Sequence, residues 1–141
     1  MSTLKVAKVE SPDTTAGGIS ISSAGLVTVS AASGSISAIS VAASDTTKTL
    51  DFATSNNFAL TLANTSSCTI ANPSNLSAGQ TGSIFLVQDS TGGRVLAFGS
   101  SWDFAGGSAP TLSTGASTVD RIDFVVRTTS SIHAVFTANY S

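Results

Sequence analysis

Charge is what this sequence has least of. Charged residues make up 10% of the 141, against roughly a quarter in an ordinary soluble domain. Six basic and eight acidic side chains leave a net charge of −2. The basic ones (Lys5, Lys8, Lys48, Arg94, Arg121 and Arg127) are spread along the chain. A phosphate-binding surface needs them clustered, so nucleic acid is not an expected partner. Long apolar runs are also missing. No stretch approaches the roughly 20 apolar residues of a spanning helix, which argues against a membrane. The start, MSTLKVAKVESPD, lacks an apolar h-region, so no secretory signal is expected. The sequons at Asn64, Asn75 and Asn139 therefore carry no weight.

Cysteine and histidine occur once each. Cys68 has no second cysteine for an intrachain disulfide, and in Cys68-Thr69-Ile70 it reads as a small core residue. A single histidine, His133, makes a poor metal site. Asp103, Asp120 and Asp123 do not follow the alternate-position spacing of a calcium loop. None of the many serines lies in a G-x-S-x-G setting. Gly92-Gly93 is followed by neither a lysine nor a helix, so it is not a phosphate loop. No catalytic residue, metal or cofactor is expected. Trp102, the only tryptophan, reads as a core or interface anchor, with a carbohydrate platform as the alternative.

Aromatic residues are absent from the first third. All seven phenylalanines, the tryptophan and the tyrosine lie between Phe52 and Tyr140. Serine, threonine, glycine and β-branched residues dominate throughout, which favours strands over helices. Residues 1–47 hold short alternating pieces: LKVAKVE, Ile19–Ile21, Leu26–Val29 and Ile36–Val41. Their side chains are too few and too small to offset chain entropy alone. Residues 1–47 are therefore expected to form an arm or oligomerisation segment. Its candidate contacts, with other subunits or a capsid, are Leu4, Val6, Val9, Ile19, Ile21, Leu26, Val27, Val29, Ile36, Ile39 and Val41.

Residues 48–141 carry the core bulk. Lys48–Phe52, Phe58–Leu62, Cys68–Ala71, Trp102–Phe104, Arg121–Arg127 and Ile132–Tyr140 read as strands. Phe58, Leu60 and Leu62 share one face, as do Ile122, Phe124 and Val126, and Ile132, Ala134, Phe136 and Ala138. Ile84–Val87 is a continuous apolar run, followed by turn residues Ser90–Gly93 and a return through Val95, Leu96 and Phe98. This predicts a central β-hairpin. Seven or eight short strands point to an all-β jelly roll or β-sandwich, preceded by an extended β arm or an intertwined trimeric stalk.

Two stretches carry a resemblance. STLKVAKVESPDTTAGGISISSAGLVTV resembles the opening of virion structural proteins of tailed phages. AGQTGSIFLVQD, RVLAFGSSWDF and GGSAPTLSTGASTVDRIDF resemble a β module of phage tail-fibre and head-decoration proteins. The resemblance implies a homotrimer without enzymatic activity, bound to a capsid or tail. A chain this short suits a capsid cement protein that clamps neighbouring major capsid subunits on the virion surface, assembled in the host cytoplasm. The alternatives are a short tail-fibre or receptor-binding subunit joined to tail components, and a module binding host surface glycan.

Overall fold

The computed structural model describes residues 35–140, together with the strand backbone of three short segments before them. The chain divides into two compact units, Met1–Gly34 and Ser35–Ser141. In the first, β1 (Val9–Glu10), β2 (Gly18–Ile21) and β3 (Val27–Val29) form a three-stranded antiparallel sheet, with Ile19 opposite Val9 and Val29.

The second unit is all-β apart from a single 3-10 turn at Ala105–Gly107. Its strands are β4 (Ile36–Val41), β5 (Thr47–Lys48), β6 (Asn57–Leu62), β7 (Cys68–Ile70), β8 (Thr81–Gln88), β9 (Leu96–Phe98), β10 (Trp102–Phe104), β11 (Val119–Thr128) and β12 (Ser131–Thr137). From β4 to β9 they alternate between two sheets, and β10, β11 and β12 all join the larger one. One has six strands in the order β10-β12-β11-β8-β6-β4; the other has three, β5-β7-β9. From β4 to β9 every pairing is parallel. The chain runs along one sheet, turns a corner, runs along the other, and comes back one strand further on. A third side is tied where Phe52 N–H donates to the Ser74 carbonyl and Ser74 N–H to that of Leu50, both at 3.0 Å. Only after β9 does the direction change. β11 lies antiparallel to β8, β12 antiparallel to β11, and β10 parallel to β12.

This winding corrects the expected jelly roll or sandwich, which are built from antiparallel strands. Stacked parallel ladders are the topology of a short β-solenoid. The expected central hairpin is absent for the same reason: β8 and β9 belong to different sheets. The intervening residues make a corner. Asp89 accepts the Thr91 and Gly92 N–H groups at 3.1 and 2.9 Å, and its carboxylate pairs with the Arg94 guanidinium. Gly92 and Gly93 adopt positive φ, 74° and 73°, as the turn composition suggests. A Cβ at Gly92 would lie 2.5 Å from the Thr114 carbonyl oxygen.

Alternation fixes the inner face of the six-stranded sheet. Phe58, Leu60 and Leu62 of β6 stand beside Ile84, Leu86 and Gln88 of β8. Ile122, Phe124 and Val126 of β11 and Ile132 and Ala134 of β12 complete the rows, all buried. Leu50, Phe52, Cys68, Ile70 and Leu96 meet them from the other sides. Phe52 stacks on Phe58 with ring centroids 5.5 Å apart and lies 4.8 Å from Phe124. Phe98 meets Trp102 and Phe104 edge-on at 5.9 and 4.9 Å.

The division of the chain differs from the expected one at 47/48. β4 pairs with β6 along its whole length, Val41 is fully buried, and Ile39 packs on the core. Residues 35–47 thus belong with the second unit. The small side chains of β4 do not need core bulk of their own, because β6 and β8 supply it. Two strand limits also shift. Lys48–Phe52 turns after Lys48, sending Leu50 and Phe52 inward, and the last strand ends at Thr137, leaving Ala138 exposed.

Candidate functional site: the outer face of the six-stranded sheet

The positions that alternate away from the core form an open sheet face. Across it run two main rows. Ile36, Asn57, Ser83, Asp123 and Val135 are consecutive register partners, and so are Ala38, Ala59, Phe85, Arg121 and Thr137. A third, Thr81, Val125, His133 and Asp103, lies beside the first. Of the large apolar side chains left exposed among the described residues, all but Val95 are on this face or against it. Ile36 is 54% exposed, Val125 41% and Val135 60%. Tyr140, 50% exposed, lies under the Arg121 guanidinium, whose carbon is 4.8 Å from the ring centroid. Single exposed apolar residues are ordinary, but Val125 on β11 and Val135 on β12 are diagonal neighbours beside Asp123, with Ile36 at the far end of the same face, and such a grouping marks a candidate interaction surface.

The polar groups of this face are held in place. Asp123 accepts the Ser83 hydroxyl at 2.6 Å and Arg121 Nε at 2.9 Å, with Arg121 Nη2 at 2.8 Å. At the β10 edge Ser131 donates its hydroxyl to Asp103 at 2.6 Å and accepts Arg127 Nε at 3.3 Å. Beside this pair a shallow hollow of about 340 Å³ is lined by Asp103, Phe104, Ala105, His133, Ala134 and Val135. Ser131 is 8% exposed and its proton points to Asp103. Among the described residues no hydrogen bond joins His133 to either, so the trio lacks the nucleophile–base contact that acyl transfer needs.

The three aspartates weighed for calcium are not brought together. Asp103 is held by Ser131 at the sheet edge, and Asp123 faces outward to Arg121. Asp120 faces inward, 2% exposed, accepting the N–H groups of Ser113 and Asn139, each at 2.8 Å. Among the described residues no group of three His, Cys, Asp or Glu side chains is placed to hold a metal ion. Cys68 is fully buried. Desolvation, with the Asp45 charge adding to it, pushes its thiol pKa up, away from a reactive thiolate.

Trp102 is 6% exposed, and its indole N–H donates to the Ala71 carbonyl at 3.1 Å. Its ring is packed in the core and offers no face to a sugar, which removes the feature on which the glycan reading stood. Asn64 is likewise buried, at 2% exposure, which closes its sequon.

Of the expected contact residues, Leu4, Val6 and Leu26 lie outside the described residues. Val9, Ile19, Ile21, Val27 and Val29 fall in the backbone of β1, β2 and β3. Ile36 is on the open face, Ile39 is half-buried against the core, and Val41 is fully buried. Val41 is therefore a core residue and not a contact, because its register partner is the buried Leu62. Sequence reasoning passed over Phe85, Val125, Val135 and Tyr140. The available signal was an apolar residue at the solvent phase of an alternating strand: Val125 within DFVVR and Val135 within IHAVF.

Comparison with protein-family models, curated proteins and solved structures returns no match to this chain.

Proposed function

We propose that this protein is a non-enzymatic structural component of a tailed-phage virion, a cement protein on the capsid surface that clamps neighbouring major capsid subunits. The observation that carries the reading is the open face with Val125, Val135 and the Tyr140–Arg121 pair around a fixed Asp123, and Ile36 at its far edge. Such a face works by buried area and needs no chemistry. The resemblance of AGQTGSIFLVQD and RVLAFGSSWDF to phage head-decoration and tail-fibre modules supports the same reading. It also suggests a homotrimer, with the segment before residue 35 as an arm or stalk contacting other subunits. Few charges and many Ser and Thr side chains fit a surface that is to be covered in an assembly. The alternative role is a short tail-fibre subunit.

The test is imaging of particles carrying a tagged copy. Density distributed over the capsid surface is the expected result. Label confined to the tail would replace cement with fibre, and particles free of label would end the virion reading.

A further inference from the structure

The six-stranded sheet ends in β10 on one side and in β4 on the other. At the β8 end it continues into β11, β12 and β10. At the opposite end β4 pairs with β6, and no other described strand lies beside it. The direction of its peptide groups follows from register. Val41 is level with Leu62 and its carbonyl accepts Ala63 N–H at 2.9 Å. Parallel pairing then turns Ser37, Ile39 and Val41 toward β6, and the N–H and C=O groups of Ile36, Ala38 and Ser40 toward the open edge. The core row is open at the same place. Leu60 and Leu86 are 0% and 1% exposed, while Ile39, third in that row, is only half-buried.

Natural edge strands are protected by charge, proline, bulges or shortness. The other edges of this unit follow that rule. β5 has two residues, one of them Lys48 in an ion pair of 2.8 Å with Asp45. β9 has three residues, and β10 has three with Asp103 in the middle. β4 follows none of it. Ile-Ser-Ala-Ile-Ser-Val is six residues long, without charge or proline, and pairs in unbroken register. It also sits in a long uncharged part of the sequence, from Thr14 to Ser44. A neutral edge rejects any partner strand that would bury a charge against it and accepts an uncharged, β-branched one. The chain itself provides such a strand.

We propose that the β4 edge is an assembly site, completed by an uncharged strand of a second copy of this chain. The incoming strand satisfies the outward groups of Ile36, Ala38 and Ser40 and covers Ile39. The occupant is a copy because the stretch that presents the edge is also the one that matches it in charge. This deepens the proposed self-assembling role and rests on it.

Two substitutions test it. Ala38→Pro removes an outward N–H that β6 does not use, a change that edge strands accept. Ser40→Lys places a charge on the edge. Mass is read by light scattering, and folding by circular dichroism. The wild type is expected to be an oligomer, and both variants to retain the β spectrum while falling to the 14.0 kDa of a single chain. If Ala38→Pro loses the spectrum, Ser40→Lys decides. A monomeric wild type, or folded variants that keep the wild-type mass, would overturn the proposal. So would an oligomer that only Val135→Lys dissociates, since association would then run through the sheet face. Particle binding is a separate readout. A wild-type oligomer sensitive to both edge variants that binds no phage particle would end the virion reading and leave the edge pairing standing.

Discussion

Asp120→Ala is the most informative single change in the core. Asp120 occurs at the inward phase of β11, together with Ile122, Phe124 and Val126, and is 2% exposed. One carboxylate oxygen accepts Ser113 N–H, the other Asn139 N–H, both at 2.8 Å. It thereby ties the long loop before β11 and the C-terminal tail to the sheet. Each hydrogen bond to a charged acceptor contributes about 1.5–3 kcal/mol. Against this stands the desolvation of the carboxylate, which alanine relieves. The net loss expected is about 2–4 kcal/mol. For a unit of this size one kcal/mol moves the midpoint by roughly 3–6 °C, so Tm falls by about 6–24 °C. Asp120→Asn keeps one acceptor and should lie in between. The measurement is thermal and urea unfolding, joined to amide exchange at Ser113 and Asn139, where protection should drop before the core strands open. If alanine is as stable as wild type within about 0.5 kcal/mol, or exchange at both amides is unchanged, the carboxylate is not the anchor described.

Gly82→Ala should destabilise by at least about 1–3 kcal/mol, because a Cβ there would sit 1.7 Å from the Asn56 carbonyl oxygen and 2.8 Å from Phe124; urea unfolding measures it, and a neutral result would refute the close approach. Leu60→Ala, at a fully buried position in the central row, should cost about 2–5 kcal/mol, while Ile36→Ala on the open face should leave chain stability within about 0.5 kcal/mol. Asp89 has its pKa lowered to about 2, mainly by its hydrogen bond to Arg94 and further by the Gly92 and Thr91 N–H groups, against desolvation. A folded pKa below the unfolded one of about 3.9 gives stability that is whole above pH 4 and fades as pH falls toward 2. Asp89→Asn should flatten the unfolding curve in that window, and an unchanged acid limb would count against it. Cys68 should resist a thiol reagent until the protein unfolds, since it is fully buried with a raised pKa; labelling of the native state at the rate of a free thiol would refute this.

Much of the local structure was legible because alternation is a local property. A period of two puts Phe58, Leu60 and Leu62 on one side of a strand whatever that strand pairs with. The same holds for Ile122, Phe124 and Val126, and the structure buries both sets. The all-β class, the buried Cys68 and the tight turn at Gly92-Gly93 follow from the same kind of information. Pairing does not. Asp89–Val95 has the composition of a hairpin loop and of a solenoid corner alike. What separates the two is whether β9 finds β8 or β7 alongside it, and β7 lies far back in the chain. The boundary before β4 was misread for a related reason. Ile36–Val41 is too poor in bulk to hold a core, and only the side chains of β6 and β8 show that it need not. Asp120 is the sharpest case. An aspartate in an apolar row becomes acceptable only when the Ser113 and Asn139 amides arrive to meet it. The candidate face depends on both levels. Sequence alone set which residues alternate outward, and tertiary structure put Ile36, Val125 and Val135 on one surface by placing distant strands in register.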